Sequence, residues 1–93
     1  MVVFVMEKVN KSLRGYVSRY SIEVSAGVFV CKISRRVREL LWQEIVKKVK
    51  DGKAVMVWSS NNEQGYDFAM IGYKNKSVVD FDGIKLIKNV KNS

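Results

Sequence analysis

Glu7 closes an unbroken apolar run, Val2 to Met6, and is the acid best placed to do chemistry in this chain. A carboxylate at the end of a central strand ordinarily does no more than cap the sheet. Magnesium sites, however, use one or two carboxylates together with water and substrate phosphates. One Glu7 per protomer is a sparse donor set, and a two-fold dimer would bring a pair of them around a hydrated ion. The other residues with chemical potential are basic. Lys11, Arg14 and Arg19 share one short stretch, and Lys74 and Lys76 flank Asn75 in a basic turn, GYKNKS. Arg14 falls near a helix N-terminus beside Gly15, where backbone donors and the helix dipole already favour anions. Arg19 has a competing partner in Glu23, four residues on. Nothing in the pattern reads bases, so the expected contacts are to backbone phosphates.

The residue types that are missing narrow the chemistry further. There is no histidine, which excludes Cys-His and Ser-His-Asp constellations and any imidazole zinc site. The single cysteine, Cys31, lies in an apolar strand and reads as a buried structural thiol. A lone cysteine forms no internal disulfide, which fits a reducing cytoplasm. No basic segment precedes the first apolar run, so no signal peptide is expected, and no run approaches the length of a membrane span. Seventeen Lys and Arg against nine Asp and Glu give a net charge of +8, which favours an anionic partner.

These side chains must be held by a small scaffold. At 93 residues and 47% hydrophobic content, the chain makes a single domain, residues 1–93, with a modest core that dimerisation would extend. Val2–Met6 suits a strand covered on both faces. Leu13, Val17, Tyr20 and Val24 keep the spacing of one helical face, with Asn10 or Ser12 as the cap. Gly15 in that helix implies a close approach, either by the sheet or by a ligand. Ala26-Gly27 breaks the segment, and a strand follows at Val28–Ile33. A fold with two strands between its helices requires that break to divide Ile22–Ser25 from Val28–Ile33.

Ser34 caps a second helix running to about Lys50, with Val37, Leu41, Ile45 and Val49 inward. Lys47, Lys48 and Lys50 read as solvated surface matched to the helix dipole. Gly52 is expected to take a left-handed cap. Lys53–Ser60 and Gly65–Ile71 form a hairpin around NNEQ, and a tail strand is expected near residues 84–88. Glu63 in the hairpin loop and Asp82 in the DFDG turn read as turn formers. The fold class is α+β: a ferredoxin-like split βαβ sandwich, with two helices on one face of an antiparallel sheet and an extra C-terminal strand.

The stretch LRGYVSRYSIEVSAGVFVCKISRRVRELLW resembles the type I-E branch of the second CRISPR-associated protein family. That family is the small non-integrase subunit of the spacer-acquisition complex. The resemblance continues through VMVWSSNNEQGYDF and VVDFDGIKL, nearly the whole chain. It implies the ferredoxin-like fold, a homodimer, duplex DNA held by its backbone, and the integrase subunit as protein partner. It implies a DNA groove at Arg14 and Lys76, with Asn75 standing where a second basic residue is common. It implies a metal-dependent phosphodiesterase position at Glu7, where many members carry aspartate. It implies that Glu63 and Asp82 face a basic surface of the integrase, and that the tail strand docks there or across the dimer.

Three readings follow from these residues. The first is a non-catalytic homodimeric scaffold that bridges integrase dimers. The second is a magnesium-dependent endonuclease, acting on RNA or DNA through paired Glu7. The third is a stand-alone RNA-binding domain, disfavoured because no strand carries an aromatic-interleaved RNA-binding run.

Overall fold

The computed structural model describes residues 1–72, together with the backbone of two strands, Lys76–Phe81 and Ile84–Asn89. The first strand, β1 (Val2–Glu7), is followed by a helix, α1 (Lys11–Ser18). Two short strands come next, β2 (Ile22–Ser25) and β3 (Val28–Cys31), then the long helix α2 (Arg35–Lys48). A hairpin of β4 (Lys53–Ser59) and β5 (Tyr66–Ile71) completes a five-stranded antiparallel sheet ordered β2-β3-β1-β4-β5. This is the expected α+β, ferredoxin-like arrangement, with β3 inserted between β1 and β2 and with β5 added at one edge. The tail strand is β7 (Ile84–Asn89). It pairs with β6 (Lys76–Phe81), a strand that begins where the basic pattern predicts a turn, in a separate two-stranded sheet.

Alternation along β1 decides which residues face the helices. Val2, Phe4 and Met6 are buried, and they pack with Phe29 and Cys31 of β3 and with Ala54 and Met56 of β4. Leu13 and Val17 of α1, and Leu41 and Ile45 of α2, cover this face. Phe4, Phe29, Leu13, Val17, Leu41 and Ile45 are essentially inaccessible. Each such side chain contributes about 1.5–3 kcal/mol over an exposed one. Cys31 is part of this core, its thiol 3.7 Å from the Val2 carbonyl, and burial raises its pKa.

The opposite face is also apolar. Direct cross-strand pairs place Val3, Val5, Val28, Val30, Val55, Val57, Phe68 and Met70 on it. Ile22, opposite Val30, extends this face to the β2 edge and is 72% exposed.

The helical face expected to run from Leu13 to Val24 stops early. Asn10 accepts a hydrogen bond from the Leu13 amide at 2.8 Å and starts the helix. After Ser18 the amides of Arg19 and Tyr20 turn to the carbonyls three residues back, and the Ser21 hydroxyl takes the Val17 carbonyl at 2.7 Å. Ile22 and Val24 then alternate with Glu23 and Ser25 in β2, and Tyr20 and Val24 are exposed. The period of two has overridden the helical spacing. The Ala26-Gly27 break divides the strands as the fold requires, and β3 closes at Cys31, short of Ile33.

One glycine expectation changes. The left-handed residue after α2 is Lys50, with φ of 50°, rather than Gly52. Gly52 is needed for close approach instead, since a Cβ there would meet the Glu7 and Lys8 carbonyl oxygens at 2.7 Å. Gly27 combines both demands: φ of +76° and a Cβ position pressed against the Met6 carbonyl. Gly27→Ala should therefore lower stability by about 1–3 kcal/mol, read from the urea midpoint at unchanged slope.

Candidate nucleic-acid interface

The basic residues divide into a paired set and an open set. Arg14, in the middle of α1, forms an ion pair with Glu23 of β2 at 2.6 Å. The same Glu23 oxygen accepts a 2.9 Å hydrogen bond from the Gly27 amide. That backbone bond, with Arg14 beside it, holds the Glu23 carboxyl below its ordinary value. Arg14, not Arg19, is thus the partner of Glu23. Its side chain remains 43% exposed.

Arg19 instead lines an open groove between the helices, with Ser12, Gly15 and Tyr16 of α1 and Lys48 of α2. The groove holds about 400 Å³. Lys48 crosses toward it from the last turn of α2. Its ammonium lies 5.5 Å from the Tyr16 ring centroid and 3.3 Å from the Glu44 carboxylate. Lys48, together with Lys47, holds the Glu44 carboxyl below its ordinary value. Helical spacing predicts Lys48 as plain solvated surface, but the crossing of the two helices brings it into the groove. No sequence spacing could have signalled this, because Tyr16 and Lys48 lie far apart in the chain. Lys11 begins α1 and is exposed. Lys74 lies outside the described residues. Lys76 begins β6, and its side chain likewise lies outside the description.

Gly15 was expected to admit a close neighbour. Nothing lies within 4 Å of where its Cβ would be, so packing against the sheet is not the reason for glycine there.

Glu7 is exposed at the end of β1, directly across from Lys53. By alternation it shares the face of Val3 and Val5. Among the described residues, no three acidic or thiol side chains come together as a metal cluster. Glu63 is exposed in the β4–β5 loop, which is closed by a 3.1 Å bond from the Ser60 amide to the Gly65 carbonyl. Asp82 lies outside the described residues. A second concavity of about 330 Å³ opens beside that loop, lined by Arg35, Arg38, Trp58, Ser59, Ser60 and Asp67. In it the Arg38 guanidinium stacks 4.3 Å from the Trp58 ring centroid. Among the described residues no helix is long and apolar enough to cross a membrane.

Residues 1–86 match the model of a family described as CRISPR-associated protein (Cas_Cas2CT1978). The match spans most of the chain, which therefore belongs to that family and has its role in CRISPR defence.

The depressed Glu23 carboxyl makes stability depend on pH in a definite direction. A group whose folded pKa is lowered contributes fully above its ordinary value, here 4.5, and loses that contribution as pH falls through the folded value. Glu23→Gln should therefore flatten the acid limb of a stability-against-pH curve below pH 4.5. Urea midpoints measured across that range check it, and an acid limb as steep as the parent's would count against the Gly27 hydrogen bond and the Arg14 ion pair as its source.

Proposed function

We propose that this CRISPR-associated protein is the non-catalytic subunit of spacer acquisition. It acts as a homodimer that holds a short duplex by its backbone and bridges dimers of the integrase subunit. The observation that supports this best is the different chemistry of the two sides of one sheet. The helix side carries the cationic groove and the partly exposed side chain of Arg14. The other side is a continuous field of valine, with Ile22 largely uncovered at its edge. A chain this small gains most by burying such a field against a second copy. A two-fold pair would then present Lys11, Arg14, Arg19, Lys74 and Lys76 twice to one duplex. The partner contacts would fall to Glu63, exposed in the β4–β5 loop, and to Asp82.

One observation favours the second reading, a magnesium-dependent endonuclease. Glu7 lies on the Val3–Val5 face, and pairing of two copies through that face about an axis near the end of β1 would bring two carboxylates together. Glu7 from each copy would hold the ion, and the ion would supply charge stabilisation at the phosphodiester.

Sedimentation tests the dimer, and cleavage assays separate the two readings. The parent should sediment as a dimer, and Val57→Asp as a folded monomer. A well-folded parent monomer at micromolar concentration contradicts the proposal. Purified protein should leave RNA and DNA intact with or without magnesium. Cleavage that disappears in Glu7→Ala, with folding and integrase co-purification unchanged, would replace the scaffold by the enzyme. Duplex binding should depend on salt. Arg14→Ala should flatten the log–log slope by about 0.9 for each phosphate no longer neutralised, or twice that for the dimer.

A further inference from the structure

We propose that the groove between α1 and α2 is a seat for one backbone phosphodiester, with Gly15 as its floor and Lys48 and Arg19 as its cationic walls. This rests on the reading of the chain as a nucleic-acid backbone binder, and it assigns one subsite within that binding surface.

Gly15 carries the argument. It sits in the interior of an eight-residue helix, where glycine is less stable than alanine. The usual reasons for glycine do not apply. Its backbone is helical, and no atom lies within 4 Å of a Cβ built on it. What a side chain there would enter is the groove itself, which Gly15 lines. Glycine therefore keeps the groove floor at the level of the backbone.

The walls supply charge of the matching sign. Lys48 is steered inward, since the Glu44 carboxylate and the Tyr16 ring hold its ammonium over α1. Arg19 has no ion pair among the described residues, because Arg14 has taken Glu23. Ser12, a residue with a hydroxyl donor, also lines the groove. The one aromatic ring in the groove, Tyr16, already faces the Lys48 cation, so the chemistry fits a phosphate oxyanion and not a stacked base.

The test titrates a labelled duplex of arbitrary sequence into parent, Gly15→Ala, Lys48→Ala and Arg14→Ala proteins at several salt concentrations. Thermal melts run alongside. Gly15→Ala should melt higher than the parent, because it adds helix propensity in open space, yet bind the duplex several-fold more weakly. Lys48→Ala should flatten the log–log salt slope by about 0.9 for each phosphate it no longer neutralises. Parental affinity in Gly15→Ala together with a parental slope in Lys48→Ala overturns the seat. If Arg14→Ala still weakens binding in that case, backbone binding stands and only the seat fails. A parent that binds no duplex at all overturns both.

Discussion

The central strand has no polar side to offer. Val2 to Met6 is apolar at every position, so β1 must be covered on both faces of the sheet. On one face the cover is intramolecular: α1 and α2 bury Val2, Phe4 and Met6 against Phe29 and Met56. On the other, the strand neighbours add only more valine, and those valines remain half-buried at best. The remaining organisation follows from that asymmetry. The helices take the charged groups to one side, and the sheet keeps its unmet apolar area on the other.

Charge is organised on the helix side by competition for acids. The net charge of +8 leaves cations in excess, and the few acids decide which of them are held. Glu23 takes Arg14 and ties it to the β2–β3 turn through the Gly27 amide. Glu44 holds Lys48 over Tyr16. These pairs are partly exposed, and each adds little to stability. Their effect is positional. They hold Arg14 against β2 and Lys48 over α1, and among the described residues Arg19 is left without an ion pair.

Most of the fold was legible because local signals agreed with one another. Asn10 and Ser34 mark both helix starts, and Ala26-Gly27 marks the turn that makes two strands between the helices. Ile22–Ser25 was the weak point, because Leu13, Val17, Tyr20 and Val24 keep helical spacing while Ile22 and Val24 keep the spacing of a strand. Pairing with β3 settles it, and that is a tertiary fact. The strand β6 escapes notice because GYKNKS reads as a turn. The basic residues of the site were visible as types but not as partners. Which arginine pairs with Glu23, and that Lys48 meets Tyr16, depends on how α1 leads into β2 and how the helices cross. The role proposed for Glu7 depends on a second copy, which a single chain does not contain.

Amide hydrogen exchange with and without a duplex of unrelated sequence tests most directly the claim that the two sides of the sheet have separate tasks. Binding should protect Lys11–Ser18 and the last turn of α2, at the same positions for any sequence. The amides of β1 and β4 in the valine field should be equally slow in both states, because each strand is hydrogen-bonded to a neighbour on both sides and the duplex does not touch that face. Protection confined to the valine face, with the helices unchanged, would contradict the account.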